Sequence, residues 1–350
     1  MSTFLTNHES LLNDYARLSQ SAGARRDYVQ GGGGNTSVKL DEKFMAVKAS
    51  GFCLCDVTPD YAYAVMDYAA IRAFYRDHEA TDFEDAEKVG SEQAKAGTIA
   101  IEGLPALRPS VEAGFHSLLG TFVIHSHSVY ANLACCAVEM KQILTEALAG
   151  ADYSWGMVPY IDPGARLSFA IRDEMDRVER ATGKVPTILF MQNHGLIVHE
   201  KTADAALKLH DAVNAWLAAH FGVAADAFLQ MDLEAYLTKR LSARNYDASF
   251  FIDSPLYPDQ MVFFIGTLGF GADEAQEGEV LLDLTTGKLS FGIPQAQAHV
   301  ITETLAAVLF IQEHIEKKGY TLSTMGEQAK RFIANWESEK YRKSLLGAKA

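Results

Sequence analysis

The sequence has few cysteines and a shortage of positive charge. Its 350 residues include four cysteines and nine prolines, and 31 basic residues stand against 45 acidic ones, a formal net charge of −14. So acidic a chain is a poor non-specific partner for a phosphate polymer or an anionic membrane. Its glycine and proline content is also too ordinary for a collagen-like repeat or a low-complexity tether. We therefore expect neither nucleic acid nor membrane as a partner.

The cysteines lack the spacing that disulfide frameworks or structural zinc sites require. They form two close pairs, Cys53 with Cys55 and Cys135 with Cys136, and a zinc knuckle would need a second nearby C-x-x-C pair. We expect reduced thiols. Residues 1–26 mix polar and acidic residues into their apolar pattern, unlike a signal peptide, and no apolar run approaches ~20 residues. These features favour a cytoplasmic protein.

Apolar residues in regular patterns make up much of the chain. They account for 48% of the sequence, enough for one large core or two smaller ones. Stretches of helix and strand character alternate up to residue 225, which predicts a layered α/β domain over 1–225. After residue 225 the pattern changes to aromatic and β-rich stretches, and residues 226–350 are predicted to form a smaller α+β extension.

The patterns also predict individual elements. Predicted helices of the first domain cover 8–23, 59–78, 110–119, 129–149, 164–181 and 202–220. Its predicted strands cover 37–40, 44–48, 121–127, 186–191 and 196–199. The polar stretch 81–103 is predicted to be a surface excursion. In the extension we expect strands at 250–252 and 261–265, a hairpin of 280–284 with 288–292, and helices at 295–317 and 325–345.

Three histidines give the strongest chemical signal. His125 and His127 end an apolar predicted strand, and because side chains alternate between the faces of a strand, both imidazoles project to one side. His194 lies in a turn between two predicted strands, from which a loop can deliver it to the same point. Three imidazoles with an open fourth position are typical of a catalytic zinc ion. The alternative is that the pair consists of two ordinary strand residues.

Glu112 and two small-residue turns each allow a structural and a functional interpretation. Glu112 follows Pro109 and Ser110, and is either a first-turn carboxylate that favours the helix dipole or a proton acceptor beside a metal ion. The glycine run 31–34 lacks both nucleotide-binding fingerprints. It is either a flexible turn or a nest of N–H groups for an anion, and 48–51 offers a second turn of this kind.

Taken in order, these motifs resemble the class II aldolase/adducin family. They are Gly34-Asn35-Thr36-Ser37, Ser50-Gly51, Pro109-Ser110-Val111-Glu112, His125-Ser126-His127 and Asn193-His194-Gly195-Leu196. The resemblance covers about residues 10–220 and is greatest to the rhamnulose-1-phosphate aldolase domain of larger bacterial proteins, which usually continue into a dehydrogenase domain. It implies a three-layer α/β/α sandwich around a mostly antiparallel sheet. It also implies a homotetramer with sites near the subunit interfaces.

The resemblance assigns a role to each histidine and to the carboxylate. It implies that His125, His127 and His194 bind Zn²⁺, although three imidazoles also accept Mn²⁺ or Co²⁺. Glu112 matches the catalytic acid/base of the family. A tyrosine from a neighbouring subunit also takes part in these enzymes, and three residues are candidates for it here, namely Tyr130, Tyr153 and Tyr160.

A further set of residues matches the positions that hold the substrate phosphate and its neighbouring hydroxyls. The set consists of Asn35, Ser50, Gly51 and Ser110. In the simplest family members a second serine follows the first. Here that position is Val111, which removes one hydroxyl donor from the expected phosphate site.

The implied reaction is the cleavage of a sugar phosphate. A ketose 1-phosphate of the rhamnulose or fuculose type would give dihydroxyacetone phosphate and an aldehyde through a metal-stabilised enediolate, with Glu112 moving the proton. A Schiff base on Lys39 or Lys48 is the competing route, which the metal makes unnecessary. A dehydratase, a decarboxylase or an epimerase of the same superfamily stays open, although the epimerases carry aspartate at the position of Glu112. A non-catalytic adducin-like binding module is the alternative from another class.

Overall fold

An eight-stranded sheet organises residues 3–335, the part of the chain that the computed structural model describes. Its strands are β1 (Asn35–Lys39), β2 (Phe44–Lys48), β3 (Tyr63–Asp67), β4 (Thr98–Ile99), β5 (Phe122–Ser126), β6 (Trp155–Val158), β7 (Ile188–Met191) and β8 (Gly195–Glu200). They lie in the order β4-β3-β2-β1-β5-β8-β7-β6, and only β6 and β7 pair in parallel. The prediction of a mostly antiparallel sheet is therefore confirmed.

Helices cover both faces of this sheet. They are α1 (Thr3–Asn7), α2 (Glu9–Gly23), α3 (Tyr68–Asp77), α4 (Ala86–Gly97), α5 (Ala113–Leu118), α6 (Val129–Cys135), α7 (Met140–Ala147), α8 (Ala165–Thr182) and α9 (Ala203–His220). Helices α2 and α9 pack on one face, and α3, α4, α5 and α8 pack on the other. The expected α/β/α sandwich is confirmed.

Strand β5 shows why the sequence forms three layers. Ile124 packs into the core beneath α2, whereas its neighbour Val123 packs into the core on the opposite face. Successive strand residues point to opposite faces, so a strand covered on both sides must be apolar throughout. All five residues of β5 are buried, and after its three apolar residues come His125 and Ser126, which lie at the edge of the sheet.

Residues 226–335 pack against α6 and α9 rather than standing apart. This extension contains α10 (Leu233–Ser242), α11 (Ala248–Ile252), α12 (Pro258–Phe264), β9 (Leu268–Phe270), β10 (Val280–Leu282), β11 (Leu289–Phe291), α13 (Gln295–Lys317) and α14 (Glu327–Asn335). Leu209 of α9 and Phe310 of α13 belong to one continuous apolar cluster. A hydrophobic core therefore crosses the boundary that was predicted between residues 225 and 226. The antiparallel pairing of β10 with β11 confirms the predicted hairpin.

The helix predicted over 59–78 is wrong in its first half. Residues 63–67 form the inner strand β3, and the helix α3 begins only at Tyr68, with the Asp67 side chain accepting a hydrogen bond from the Ala70 amide. Four of the five β3 residues are buried. An apolar run that is buried on both faces has no two-residue period and cannot be distinguished from a buried helix by pattern.

Three other element predictions need correction. The stretches 250–252 and 261–265 are not the expected strands, since they lie in or at the end of the short helices α11 and α12. All seven residues of α12 are buried, which removes the polar face that marks a helix. The single helix expected over 129–149 is divided into α6 and α7, because Val138 and Cys136 pair with the extension through their backbones.

Two further stretches differ in detail from their predictions. The surface excursion 81–103 contains the helix α4. Of the helix predicted over 325–345, residues 327–335 form α14, and the rest lies outside the described residues. Within the described residues, no helix combines the length and apolar character needed to cross a membrane.

Candidate metal centre

The sequence-predicted site residues meet where four central strands have one end in common. His125 lies near the end of β5, directly opposite Asn35 at the start of β1. On the other side of β5, Ser126 lies opposite Leu196 near the start of β8, so the turn before β8 brings His194 to the same edge. Antiparallel pairing therefore places residues that are distant in sequence at one edge of the sheet.

The three imidazoles converge on a single point. Their ring centroids are 4.9 to 5.1 Å apart in all three pairs, and the Nε2 atoms of His125 and His127 are separated by 3.2 Å. One ligand nitrogen from each ring lies within 4.8 Å of the others. A tetrahedral ion with ligands at ~2.0–2.1 Å would separate two of them by ~3.3 Å. The donor set thus has the chemistry and spacing of a three-histidine metal site.

The Nδ1 atoms of the three histidines differ in their hydrogen-bond partners. His125 Nδ1 lies 3.1 Å from the carbonyl oxygen of Leu196, and His127 Nδ1 lies 2.6 Å from Asp259 Oδ2. His194 Nδ1 is buried without a hydrogen-bond partner among the described residues. Hydrogen bonds to Nδ1 hold the proton there and leave Nε2 free as a ligand.

Glu112 points its carboxylate at the imidazoles. Its Oε1 is 3.3 Å from His194 Nε2, and its Oε2 is 3.6 Å from His125 Nε2. Asn35 donates a hydrogen bond from Nδ2 to Oε2, and the backbone N–H of Glu112 donates to Ser110 Oγ at 3.2 Å. Although Glu112 precedes α5, its side chain caps no backbone amide. The geometry therefore favours the functional interpretation of this carboxylate over the helix-dipole one.

Burial and proximity set the protonation of these groups. Burial lowers the pKa of His125 to about 3, and the nearby Glu112 offsets only part of that effect. Burial alone would raise the pKa of Glu112, but His125, His194 and His127 hold it well below its usual range. The site thus contains a neutral imidazole at position 125 and an ionised carboxylate. A neutral imidazole can bind a cation, and an ionised carboxylate can accept a proton.

Of the residues matched to the phosphate site, Asn35 contacts the Glu112 carboxylate, and the others lie in segments that are linked to one another. Gly34 adopts a φ of +69°, and a Cβ there would lie 2.6 Å from the His125 carbonyl oxygen, so only glycine allows this approach. Ser50 donates its backbone N–H to the Arg108 carbonyl, and the preceding Ala49 bridges Pro109. The turn with Ser50 and Gly51 is thereby held beside Ser110. Asn35 and Ser110 contact Glu112, as described above.

A groove of about 1430 Å³ opens beside this cluster. It runs along residues 98–111 and is lined by Ser110 and Val111, with Lys88 and Arg108 among its charged residues. The three histidines are almost fully buried, whereas Ser110 borders the groove and also accepts from the Glu112 amide. Ser110 therefore connects the lining of the groove to the backbone of Glu112, the residue predicted from sequence to be catalytic.

The lysines of the competing Schiff-base route are held by backbone carbonyls. Lys39 Nζ donates to the His116 carbonyl oxygen, and burial lowers the pKa of Lys39 well below its usual value. Lys48 Nζ donates to the Phe52 carbonyl oxygen at 2.6 Å. These contacts hold both amines inside the protein and disfavour the Schiff-base route, although the lowered pKa of Lys39 alone would favour a nucleophilic amine.

The three candidate tyrosines differ in their surroundings. Tyr130 is fully buried and its hydroxyl accepts from the Phe228 amide, so it is part of the core. Tyr160 donates to Asp162 at 3.0 Å. Tyr153 has 43% of its surface exposed and is accessible to a neighbouring molecule.

Asp259 and Asn193 contribute to the site in ways that the sequence patterns did not reveal. Asp259 lies 132 residues beyond the histidine that it contacts. Asn193 has a φ of +50°, and its Nδ2 donates to the carbonyl oxygens of Leu256 and Ser323, both at 2.9 Å. Asn193 belongs to one of the recognised motifs, but nothing in the sequence pointed to its partners.

Comparison with known proteins identifies the family. The sequence model described as Class II Aldolase and Adducin N-terminal domain matches residues 13–220, more than half of the chain. A relative from Bacillus subtilis (strain 168), named "Uncharacterized oxidoreductase YuxG", is 28% identical over 200 residues. These residues are 53% of this chain and 26% of that protein. The chain thus spans about a quarter of the length of the curated relative it matches.

Three solved structures that are similar to this chain carry names that refer to aldolases. The N-terminal class II aldolase domain of a Thermoplasma acidophilum protein is 22% identical, with a TM-score of 0.48, and the match covers 59% of this chain and 91% of that one. YgbL from Klebsiella pneumoniae, for which aldolase, epimerase and decarboxylase activities are considered, is 18% identical with a TM-score of 0.41 and coverages of 61% and 90%. L-fuculose-1-phosphate aldolase from Thermus thermophilus is 11% identical with a TM-score of 0.36 and coverages of 60% and 93%. By its match to the family model, the chain belongs to the class II aldolase/adducin family.

Proposed function

We propose that this chain is a metal-dependent lyase that cleaves a ketose 1-phosphate of the rhamnulose or fuculose type into dihydroxyacetone phosphate and an aldehyde. The supporting observation is the convergence of His125, His127 and His194 on one point, with the Glu112 carboxylate 3.3 to 3.6 Å from two of their Nε2 atoms. We propose Zn²⁺ as the ion, with Mn²⁺ or Co²⁺ as substitutes that the same imidazoles accept.

The ion's contribution is distinct from that of the protein. When bound, a divalent ion supplies Lewis-acid stabilisation of the negative charge that develops on the substrate. His125 and His127 are pre-oriented for it by the Leu196 carbonyl and by Asp259. These hydrogen bonds fix the orientation of both rings, so each Nε2 is held in place as a ligand.

Glu112 is the proposed proton carrier. In cleavage the C4 hydroxyl loses its proton, the C3–C4 bond breaks with its electron pair left on C3, and C3 gains a proton, so one proton moves from O4 to C3. We propose that the ionised Glu112 takes up this proton and delivers it to C3. Tyr153 of a neighbouring subunit, which is exposed, is the proposed relay: its hydroxyl accepts the C4 hydroxyl proton as it passes its own proton on to Glu112. Asn35 aims the Glu112 carboxylate by donating to Oε2. Without that donor the carboxylate could rotate away from the reacting carbon.

The phosphate is proposed to bind where the two small-residue turns meet. The proposed donors are the hydroxyls of Ser50 and Ser110 and the backbone N–H of Gly51, because the Ser50 N–H is already bonded to the Arg108 carbonyl oxygen. Asn35, which contacts Glu112, is the fourth proposed residue. Backbone N–H groups in such turns bind anions. Val111 contributes no hydroxyl, so we expect fewer phosphate contacts than in a site with two adjacent serines.

Other activities share this set of residues. A dehydratase, a decarboxylase or an epimerase could use the same histidines and carboxylate, and a binding module would use neither. Glu112 is aimed into the site instead of capping α5, which favours a catalytic protein over a module. The oxidoreductase name belongs to a relative of which this chain matches only about a quarter.

A panel of ketose 1-phosphates tests the proposal. The zinc-loaded protein is incubated with each sugar, and triose phosphate and aldehyde are measured separately. We expect both products in equal amounts from a rhamnulose- or fuculose-type substrate. Release of water or CO₂ without triose phosphate would assign the site to a dehydratase or decarboxylase instead. Light scattering of the same sample tests the homotetramer that the family resemblance implies.

A further inference from the structure

One residue beside the metal centre comes from outside the range that the family model matches. Asp259 lies on α12 in the extension, whereas the match ends at residue 220. Its Oδ2 is 2.6 Å from Nδ1 of His127, and Asp259 is completely buried. The extension therefore reaches the site through a charged side chain.

We infer that Asp259 is a positioning residue of the metal centre, the outer carboxylate that orients His127 and strengthens it as a ligand. A metal-binding histidine usually donates its second N–H to a carboxylate or carbonyl, and this partner fixes the ring and tautomer. His125 has a neutral carbonyl in this place, so of these two rings only His127 has an anionic partner at Nδ1. This inference rests on the proposed function only in requiring that the site binds a divalent ion.

The position of α12 does not depend on the Asp259 contact. Tyr257 donates to Gln30 Oε1 at 3.1 Å, and Gln260 accepts from the Leu256 amide at 2.9 Å and donates to the Phe251 carbonyl oxygen at 2.8 Å. These neighbours fix the start of the helix on both sides of Asp259. Loss of the Asp259 carboxylate would therefore leave these other contacts of the helix in place.

The glycine run makes room for this contact. A Cβ on Gly33 would lie 2.5 Å from Asp259 Oδ2 and 3.1 Å from His127 Nδ1. Any side chain at this position would force the two groups to shift. The run predicted as a flexible turn or an anion nest thus also allows a carboxylate from the extension to reach the imidazole.

Electrostatics gives a reason for a carboxylate at this position. A buried charge is costly unless it is paired and hydrogen-bonded, and the imidazole N–H of His127 supplies one such hydrogen bond. A divalent ion on the opposite nitrogen of His127 would add positive charge to the ring. Asp259 and the ion then stabilise one another through the same imidazole, so loss of the carboxylate should weaken binding of the ion.

The test is a metal titration of three variants in the full chain. Zn²⁺ affinity is measured by competition with a chromophoric chelator, and the visible spectrum of bound Co²⁺ reports the ligand geometry. Asp259→Ala should bind Zn²⁺ ~10–100-fold more weakly, with an altered Co²⁺ spectrum. Asp259→Asn should recover part of this loss, because the amide oxygen still accepts from Nδ1 but carries no charge. Asp27→Asn is the matched control, because Asp27 is also fully buried but pairs with Arg25 at 2.6 Å.

The outcomes are distinguishable. If Asp259→Asn and Asp259→Ala bind Zn²⁺ within ~3-fold of wild type, or lose no more than Asp27→Asn, then Asp259 is structural and the inference is overturned. Should the alanine variant not fold by circular dichroism, the asparagine variant decides. Affinity is read without substrate, so a wild-type protein that binds zinc but releases no triose phosphate overturns the proposed function and leaves this inference standing.

Discussion

Contacts on several sides hold the Glu112 side chain and its backbone in place. Asn35 donates to one carboxylate oxygen, His194 lies 3.3 Å from the other, and Ser110 fixes the backbone amide. A carboxylate in such surroundings has little rotational freedom, and its charge is kept for proton transfer rather than for an ion pair with an arginine or a lysine. The residue therefore has the placement that general acid/base catalysis requires.

Replacing this carboxylate by its amide separates catalysis from metal binding. Glu112→Gln should retain bound metal, because the three imidazoles are unchanged, but turnover should fall by at least ~10² because the amide carries no proton to the carbon. Steady-state cleavage and metal content are measured on the same preparation. Glu174→Gln is the control, since that carboxylate pairs with Arg177 and the Met157 amide away from the histidines. Near-normal turnover in Glu112→Gln would remove the assigned role.

Sequence reasoning found the inner residues of the site but not the outer ones. The H-x-H spacing predicted that His125 and His127 share a face, and the turn between two predicted strands indicated His194. Glu112 was a candidate from its place after Pro109 and Ser110, and the family resemblance then implied the role of each residue. Asp259 carries no such signal, because its partner is 132 residues away and a lone aspartate after a proline is ordinary at the start of a helix. Contacts of this kind are set by tertiary packing and have no local pattern.

At the level of elements, the turn between β7 and β8 is the most constrained connection at the site. Asn193 donates to two carbonyl oxygens of the extension and accepts from Ser323 Oγ at 2.9 Å. Its own backbone amide donates to the Cys135 carbonyl oxygen. These bonds hold a left-handed residue directly before His194, so the turn and the metal ligand are fixed together.

Substitution of Asn193 separates backbone strain from hydrogen bonding. Asn193→Gly keeps the left-handed conformation but loses three side-chain hydrogen bonds, and we expect a loss of about 2–3 kcal/mol in the free energy of unfolding. Asn193→Ala should lose about 1 kcal/mol more, because alanine is strained at positive φ. Urea unfolding of the metal-free variants measures both. Equal stability of the glycine and alanine variants would show that the turn does not impose this conformation.

Two of the elements that sequence patterns misjudged are buried on all sides. The strand β3 and the helix α12 both lack a polar face, so their periods are hidden. Amphipathic elements such as α2 and α8, which have exposed faces, were predicted within one or two residues of their observed bounds. A regular period arises where one face of an element meets water, and it is absent where both faces pack.

At the scale of the whole molecule, buried neutral histidines couple folding to pH. Burial lowers the pKa of His210 to about 3 and that of His199 to about 4. The unfolded chain binds a proton at each near pH 6.5, whereas the folded chain does not until far lower pH. Their contribution to stability is therefore complete above pH 6.5 and is lost as the pH falls toward 3 to 4.

Removal of one of these histidines should flatten the acid side of the stability profile. Each proton taken up only by the unfolded chain contributes a slope of about 1.4 kcal/mol per pH unit. Between pH 4 and 6 the slope for His210→Gln should be smaller than that of wild type by about one proton. Urea unfolding in excess chelator gives the slope without the separate effect of metal loss. An unchanged slope would show that His210 is protonated in the folded protein.

The shared core explains why the whole molecule was harder to predict than its parts. The sequence indicated a zinc domain over 1–225 and a smaller extension, but Leu209 and Phe310 belong to the same apolar cluster. Two residues of the extension also reach the site: Asp259 contacts the predicted metal ligand His127, and Ser323 contacts Asn193 in the turn before β8. Sequence composition shows where the residue pattern changes along a chain, but it does not show which surfaces pack together in the folded protein.

The measurement that tests the central claim most directly is metal content with and without one ligand. The purified chain, loaded with zinc and freed of excess ion, is analysed for metal alongside His127→Ala. Because three imidazoles converge on one point, we expect about one equivalent of divalent metal per chain in the wild type and almost none in the variant. Less than about half an equivalent in the wild type, with no gain on adding zinc, would contradict the account.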